Sequence, residues 1–393
     1  MNIYLNKNVY EAAKERIRFV YEEFKNVIVN FSGGKDSTTV LHLALEVAEE
    51  MGRLPVNVFF FDQECEWEHN IEYIRHVMHR PDVNPIWYQV PFKIDNATNS
   101  VDKWMHCWEE GKEWLRPKEP DSIHSYENTL GREPDFYELM DLLPSQYFHG
   151  EKVAALCGMR CEETPKRKIA ITETPPFYKW VIWGAARKYN KFDFDPIYDW
   201  EYSDVWKYIQ DNHFEYCPIY DFMWQKGVPI NKMRISSLTH ETAIGSLLIL
   251  QEIEGDMYNK ISQRIEGVNT LTHLESDSMR CPEKLPFMFH SWEEYRDYLF
   301  KHLIKGEEEK EKFLKVFNGN KAKLYRENKL LYDEFIIMCI KSILLADSEH
   351  ALYENFTSQI AVSEWVYWKK HGVKKYKTPN PYIEYERNRA NKG

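Results

Sequence analysis

The chain has 393 residues, of which 15% are aromatic and 29% are charged, and its formal net charge is −11. Such a composition is typical of a globular protein with enough apolar residues for a core, and the length favours two domains. The acidic balance argues against a protein that wraps nucleic acid by general electrostatics.

No apolar run in the sequence reaches the length of a membrane span, and the N-terminal segment has no apolar signal region. The seven cysteines are scattered and form no CxxC pair, which favours reduced thiols and predicts neither a zinc site nor an iron–sulfur cluster. We therefore expect a cytoplasmic protein that does not associate with membranes.

The first predicted elements are a helix, a strand and a second helix. Apolar residues recur at helical spacing between residues 9 and 25, and Val27 to Phe31 is a short β-prone run. After the turn Ser32-Gly33-Gly34-Lys35-Asp36-Ser37, a helical pattern continues to about Met51 and ends at Gly52. A strand thus leads through a glycine-containing turn into a helix.

This turn has the chemistry of a phosphate site. Adjacent glycines let the backbone bring several N–H groups close to an anion, and the following helix adds the positive end of its dipole. Lys35 supplies a cation, Ser32 and Ser37 supply hydroxyl donors, and Asp36 is a candidate ligand for Mg²⁺. The alternative is a plain glycine turn between an ordinary strand and helix.

Residues Ser32 to Ser37 match the pattern Ser-Gly-Gly-x-Asp-Ser at every position. The segment resembles the PP-loop of the ATP pyrophosphatase (adenine nucleotide α-hydrolase) superfamily and differs from the Walker-type loop. The resemblance implies an α/β fold, a Rossmann-like (HUP-type) open parallel sheet with flanking helices. It also implies that the loop binds the pyrophosphate part of ATP, or the phosphate of a phosphosulfate nucleotide.

A second buried strand is predicted at Val56 to Phe61, and it ends at Asp62. Ligands of open parallel sheets lie beyond the carboxyl ends of the strands, so Asp62 is a candidate contact for ribose or adenine. The alternative is that Asp62 or Glu64 caps the helix predicted from Trp67 to Met78.

A third strand is predicted at Pro85 to Val90, after which no period lasts long until about Gly150. We interpret residues 92 to 150 as a functional insertion or lid. Trp104 and Trp108 are spaced for one face of a short helix, which favours packing over substrate coverage.

Lys152 to Met159 is another predicted strand, and cations follow it. Gly158 and Arg160 would reach the same sheet edge as the glycine turn, with Arg167 and Lys168 close behind, where triphosphate charge must be balanced. The alternative is a solvated charge run. The segment resembles the G-x-R-x-x-E-S/T-x-x-R motif of the branch related to phosphoadenylyl-sulfate (PAPS) reductase, carried here by Gly158, Arg160, Glu163, Thr164 and Arg167.

The aromatic segment from Phe194 to Asp221 also resembles that branch, and we expect it to support the sheet edge. The reductases of this branch use a cysteine in a C-terminal Glu-Cys-Gly-type segment, which this chain lacks, so reduction has no internal nucleophile. Lys232, Arg234 and His240 could reach the nucleotide, although a lone histidine near a helix start is more often structural.

After Gly255 the sequence becomes charged and aromatic with helical period. We predict a PP-loop nucleotide-binding domain at residues 1–255 and a mainly helical domain at residues 256–393. Trp365, Tyr367, Trp368 and the lysines that follow could form a nucleic-acid or partner surface, but core or partner packing fits the net charge better.

The resemblance implies an enzyme that binds ATP and Mg²⁺, cleaves the α,β bond and adenylylates an acceptor. Lys35, Arg160 and Arg167 would stabilise the departing pyrophosphate. The alternatives are a PAPS-using enzyme that depends on an external thiol and an ATP-sensing regulatory subunit. A finer resemblance, to the immunoglobulin-binding-regulator type, implies a ParB-like protein partner. The oligomeric state and direct nucleic-acid binding stay open.

Overall fold

The structure is a computed structural model that describes residues 6–96, 104–173, 177–235, 237–239, 244–265, 268, 285–304, 306–319 and 329–344. The chain divides into two compact units. The first comprises Met1–Asp95 and Trp104–Arg264, and the second comprises Asn96–Lys103 and Ile265–Gly393.

The first unit is built on a seven-stranded sheet with the spatial order β3-β2-β1-β6-β9-β8-β7. Its strands are β1 (Asn26–Asn30), β2 (Val56–Phe61), β3 (Val83–Tyr88), β6 (Val153–Leu156), β7 (Phe177–Tyr178), β8 (Val181–Ala186) and β9 (Lys191–Phe194). Strands β3, β2, β1, β6 and β9 are parallel, whereas β8 and β7 are antiparallel additions at one edge. The predicted Rossmann-like α/β fold is confirmed.

Helices flank this sheet. They are α1 (Val9–Glu23), α2 (Lys35–Glu50), α3 (Glu68–Met78), α4 (Phe136–Tyr147), α5 (Pro165–Thr172), α6 (Tyr202–Asp211), α7 (Ile219–Gln225), α8 (Ile244–Ile253) and α9 (Gly255–Arg264). Val27, Ile28 and Val29 of β1 are buried, as the continuous apolar run requires of a strand covered on both faces. Because β1, β2 and β6 run parallel, their carboxyl ends meet at one edge of the sheet.

The sequence analysis missed strands β7, β8 and β9. Phe24 of the segment after α1 packs its ring against those of Tyr178, Phe192 and Phe194, with centroids 5.2, 5.3 and 5.5 Å away. These short strands are therefore stabilised by aromatic contacts distant in sequence, which periodicity within a segment cannot reveal.

The predicted insertion contains a small antiparallel hairpin of β4 (Phe92–Asp95) and β5 (Trp104–Cys107), a long loop and α4. The helix predicted for Trp104 and Trp108 is wrong: Trp104 begins β5, and Trp108 follows that strand with φ of 54°. Trp108 is nevertheless fully buried, so packing is its role, whereas Trp104 is 36% exposed.

The second unit is helical in the ranges that the structure describes, as predicted. Its helices are Trp292–Leu303, Glu307–Asn318 and Lys329–Leu344, with a core that includes Phe313, Phe317, Phe335 and Ile340. The aromatic and basic segment that begins at Trp365 lies outside the described residues. In the part of the chain that the structure describes, no helix combines the length and the apolar character that crossing a membrane requires.

The boundary between the units lies after Arg264, whereas the predicted domain boundary lies after residue 255. Helix α9 belongs to the first unit, where Arg264 donates a hydrogen bond to the carbonyl of His106 at 2.8 Å. The division into a nucleotide-binding domain and a helical domain stays a proposal about function.

Candidate functional site

The glycine turn joins β1 to α2 at the carboxyl edge of the sheet. Gly33 has φ of 74°, a left-handed backbone conformation that residues other than glycine rarely adopt. A Cβ atom at this position would lie 2.0 Å from Oδ1 of Asn70, which is on α3. Nδ2 of Asn70 donates to the carbonyl of Ser32 at 3.1 Å. Asn70 therefore holds the turn from outside and requires glycine next to it.

The two serine hydroxyls lie inside the turn. Oγ of Ser37 donates to the carbonyl of Gly34 at 2.9 Å and accepts from the N–H of Ser32 at 3.2 Å. The two hydroxyl oxygens are 3.2 Å apart. At the start of α2 the N–H of Lys35 donates to the hydroxyl of Tyr220 at 2.9 Å, so the aromatic segment after α6 also supports the turn.

A cavity of about 550 Å³ opens above this turn. Ser32, Gly34, Asp36 and Ser37 contribute to its lining, together with residues from the ends of β1, β2 and β6 and from the insertion. Its position at the carboxyl ends of parallel strands is the usual place of a ligand in such sheets.

Two of the predicted catalytic cations point elsewhere. Lys35 is 4% exposed, and its ammonium contacts Oδ2 of Asp36 at 2.8 Å and the carbonyl of Met233 at 3.3 Å. Arg160 is 3% exposed, and its Nε donates to Oδ1 of Asp36 at 2.7 Å. Neither residue lines the cavity. Both instead contact the Asp36 carboxylate, and their direct contact with phosphate stays a prediction.

Asp36 itself lines the cavity, with 20% of its side chain exposed. Each of its oxygens already has a cationic partner, which leaves limited capacity for Mg²⁺. Among the described residues no group of three or more His, Cys, Asp or Glu side chains could hold a metal. The residues thus do not fit a metal held by protein ligands alone, whereas Mg²⁺ held mainly by phosphates needs only one or two carboxylates.

Gly158 is close to the turn. A Cβ atom there would lie 2.9 Å from the carbonyl carbon of Asp36 and 3.0 Å from the nitrogen of Ser37. Contacts under 3.0 Å are essentially never made by real Cβ atoms, so glycine lets the end of β6 approach the start of α2. The motif residue Gly158 therefore shapes the cavity wall that it lines.

Of the predicted cations, Arg167 lines the cavity, and it pairs with Glu163, another lining residue. Arg234 also lines it, as the sequence analysis considered, whereas Lys168 is exposed and does not. His240 lies outside the described residues. Among the described residues, Arg167 and Arg234 are therefore the guanidinium groups that line the cavity.

Asp62 is fully buried and does not line the cavity. Its carboxylate accepts hydrogen bonds at 2.9 Å from Trp87 Nε1 and Gln89 Nε2, and it pairs with the guanidinium of Arg116 from the insertion. This saturated position corrects the predicted ribose or adenine contact. The cap interpretation is also wrong, because the N-cap residue of α3 is Trp67.

Glu64 has a comparable role. Its carboxylate accepts from the N–H groups of Trp108 and Leu115 at 2.6 and 3.1 Å, while burial raises its pKa. Through these contacts the Asp62-Gln63-Glu64 segment holds the insertion against the end of β2.

The insertion contributes a wall that the sequence did not identify. Lys93, Trp104 and Tyr137 line the cavity, and the Lys93 ammonium lies 4.5 Å from the centroid of the Trp104 ring. Tyr137 is 71% exposed. The sequence did show several aromatic residues in this long segment, which has no helical or strand period. Whether their side chains face the cavity depends on the β4–β5 hairpin, which the sequence did not predict.

Among the described cysteines, one reaches the cavity. Cys157 lines it at the end of β6, and Nδ2 of Asn30 lies 3.1 Å from its sulfur. Burial, followed by the nearby negative charges of Asp193 and Asp195, raises the pKa of this thiol well above its ordinary value. Cys157 is thus held as a thiol and is a poor nucleophile.

Comparison with known proteins assigns most of the chain to two sequence families. The phosphoadenosine phosphosulfate reductase domain matches residues 26–226, and a domain of unknown function (DUF3440) matches residues 227–365. The uncharacterized protein YbdN of Escherichia coli (strain K12) is 29% identical over 294 residues, which are 69% of each chain.

More distant similarity extends to proteins with described activities. Sulfate adenylyltransferase subunit 2 of Shewanella pealeana (strain ATCC 700345 / ANG-SQ1) is 23% identical over 220 residues, 52% of this chain and 63% of that protein. The chain therefore spans less than two thirds of the length of that subunit. The crystal structure of Candida glabrata FMN adenylyltransferase is 14% identical with a TM-score of 0.36, covering 55% of this chain and 58% of that one.

Proposed function

The chain belongs to the phosphoadenosine phosphosulfate reductase domain family, and from this premise we propose that it binds ATP and transfers the adenylyl group to an acceptor, releasing pyrophosphate. The similarity to sulfate adenylyltransferase subunit 2 supports this class of reaction. The complete PP-loop supports it further, since in this superfamily the loop binds the pyrophosphate part of ATP.

One observation carries the proposal: the PP-loop forms part of a cavity whose wall also carries Arg167 and Arg234. Hydroxyl and backbone donors on one side and guanidinium groups on the other suit a polyphosphate anion. Apolar residues of the same cavity, among them Phe61 and Met140, suit the adenine ring.

In the proposed reaction an acceptor oxygen attacks the α-phosphorus and forms a new P–O bond. The bond from the α-phosphorus to the oxygen that bridges to the β-phosphorus breaks, and pyrophosphate leaves with the electron pair. We assign Arg167 to stabilise this leaving charge. Lys35 and Arg160 act indirectly, because both contact the carboxylate of Asp36 and keep it in place beside the loop.

Magnesium is the metal that such a reaction commonly uses, and it would neutralise phosphate charge when bound. Asp36 is the loop carboxylate that could contact it or its water shell, with the phosphates as the main ligands. Its two cationic partners, Lys35 and Arg160, hold the carboxylate in place beside the loop.

The proposal is tested by incubating the protein with ATP labelled in the α- and γ-phosphates, Mg²⁺ and candidate acceptors. We expect labelled pyrophosphate and either an adenylylated acceptor or AMP. Release of ADP and phosphate alone would contradict adenylyl transfer. Intact ATP recovered from a tight complex would instead favour the ATP-sensing regulatory subunit.

Site assignment is tested with Arg167→Gln, which we expect to lower pyrophosphate release by about 10²-fold or more. Arg132→Gln is the matched control, because Arg132 is also a partly exposed arginine paired with a glutamate but does not line the cavity. Equal activity of the two variants would remove Arg167 from the site.

A second candidate, a sulfonucleotide-using enzyme, is supported by the description of the matching family. The attacking thiol would come from another molecule, because the pKa of the Cys157 thiol is raised well above its ordinary value. Calorimetric titration with PAPS and with ATP separates the candidates: tighter binding of PAPS would favour this one.

The cytoplasmic location stays a prediction from the sequence. The comparisons lend no support to a ParB-like partner, so that interpretation also stays a prediction. Both concern the whole protein in the cell and do not affect the assays above.

A further inference from the structure

Glu66 is a buried acid in the cavity wall that the proposed reaction does not use. It lies between β2 and α3, is 5% exposed and lines the same cavity as the PP-loop. Four residues along the chain, Nδ2 of Asn70 donates to the carbonyl of Ser32 at 3.1 Å, and the Asn70 side chain lies close enough to the Glu66 carboxyl to lower its pKa. The Asn70 amide thus adjoins both Glu66 and the phosphate loop.

The guanidinium that acts on the Glu66 carboxyl already has another partner. The nearby guanidinium is that of Arg116, and it is bonded to the carboxylate of Asp62. Among the described residues Glu66 forms no ion pair, although Lys35, Arg160 and Arg167 each pair with a carboxylate. A charged Glu66 would therefore be buried without a cation of its own.

These contacts favour the neutral acid. Burial, followed by the charge of Asp62, raises the pKa of Glu66 to about 8, while Arg116 and the hydrogen bond from Asn70 act in the opposite direction. Among the described residues, Cys65 and Cys217 are also close to it. The other titratable or charged groups that line the same cavity are Asp36, Lys93, Asp95, Asp135, Tyr137, Cys157, Glu163, Arg167, Tyr220 and Arg234.

We propose that Glu66 contacts the anionic part of the ligand as a neutral carboxyl and donates a hydrogen bond to a phosphate or sulfate oxygen. The inference rests on the proposed function, since it takes an adenine nucleotide as the ligand. A carboxylate has no proton to donate and would repel the phosphates, whereas the neutral acid is both a donor and free of charge. Glu66 then selects for an anionic ligand and couples its binding to a proton.

The direction in which nucleotide affinity depends on pH follows from this proposal. Below the pKa of Glu66 the acid already carries its proton, so nucleotide affinity does not depend on this group. Above it, binding requires uptake of a proton, and the affinity falls by up to about tenfold per pH unit. The terminal phosphate, whose second pKa is about 6, is fully ionised throughout this range and does not contribute.

The experiment is calorimetric titration of the full chain with ATP and Mg²⁺ between pH 7.5 and 9.5, in two buffers of different ionisation enthalpy. Wild type, Glu66→Gln and Glu72→Gln are compared. Glutamine keeps the size of the acid and cannot titrate, and Glu72 is an exposed glutamate of α3 that does not line the cavity. Thermal unfolding of each variant checks that it is folded.

We expect wild type and Glu72→Gln to lose roughly 25-fold in affinity between pH 7.5 and 9.5, with proton uptake on binding, whereas Glu66→Gln shows a flat profile without uptake. A parallel decline of Glu66→Gln and wild type, or a wild-type affinity independent of pH, would overturn the inference. The proposed function fails separately, if ATP binds with this pH dependence but no pyrophosphate is released. Lack of ATP binding by wild type would overturn both.

Discussion

The contact between Gly33 and Asn70 gives a sharp test of how the phosphate loop is held. Gly33→Ala places a Cβ atom at the position 2.0 Å from Asn70 Oδ1 and puts a side chain on a backbone with φ of 74°. The left-handed conformation costs alanine about 1–2 kcal/mol, and forcing a carbon into a packed site costs a further ~1–3 kcal/mol. We expect the free energy of unfolding of the first unit to fall by roughly 2–5 kcal/mol.

A double-mutant cycle separates the two costs. Asn70→Ala alone removes the hydrogen bond to the carbonyl of Ser32, worth about 1 kcal/mol, and leaves a small cavity. In the double variant the clash is gone while the backbone strain stays, so we expect the double variant to be more stable than the sum of single effects by about 1–3 kcal/mol.

Hydrogen–deuterium exchange of the β1 amides is the suitable assay, because it follows the first unit separately from the second. Gly255→Ala is the control, since no atom lies within 4 Å of a Cβ placed there. The explanation is refuted if Gly33→Ala is as stable as wild type, or if the effects of the two single substitutions simply add.

Three further predictions follow from buried groups and close contacts. Arg116→Met leaves the carboxylate of Asp62 buried without its cation, and we expect exchange of the β1 amides to report a loss of about 3–5 kcal/mol; an unchanged rate would contradict this. Gly158→Ala should weaken ATP binding by about 5- to 150-fold in calorimetry, as expected for about 1–3 kcal/mol of overpacking against the backbone of Asp36, and unchanged affinity would refute that contact. Burial lowers the pKa of His42 to about 4, so the folded protein keeps it neutral while the unfolded chain binds a proton below pH 6.5. Urea unfolding should show stability falling by up to about 1.4 kcal/mol per pH unit from pH 6.5 to 4, and His42→Gln should reduce this slope.

The helical pattern of α1, the apolar runs of β1, β2 and β6, and the phosphate loop could all be predicted from the sequence. Each is encoded by consecutive residues, so periodicity or a short motif is enough to identify it. The open parallel sheet was implied by the resemblance of the phosphate loop to the PP-loop, and buried strands alternating with helices agree with it. Strands β7 to β9 were missed because their partners are distant in the chain.

The side chains of the candidate site show the same difference between what neighbouring residues encode and what distant residues decide. From the sequence, Lys35 and Arg160 are cations beside a phosphate loop, and nothing local indicates that both pair with Asp36. Asp62 stands at the end of a strand, where ligands bind, but the insertion supplies Arg116 to occupy it. Long-range ion pairs of this kind depend on how separate segments meet.

By itself the sequence determined the fold class, the position of the phosphate loop and the edge of the sheet at which a ligand lies. Only the tertiary structure decided that Arg167 and Arg234 line the cavity, that Lys35 and Arg160 form ion pairs with Asp36, and that the insertion adds an aromatic wall. The physical reason is the range of the interactions. Strands, helices and turns are specified by neighbours along the chain, whereas the direction and charge partner of a side chain are set by residues brought together from far apart.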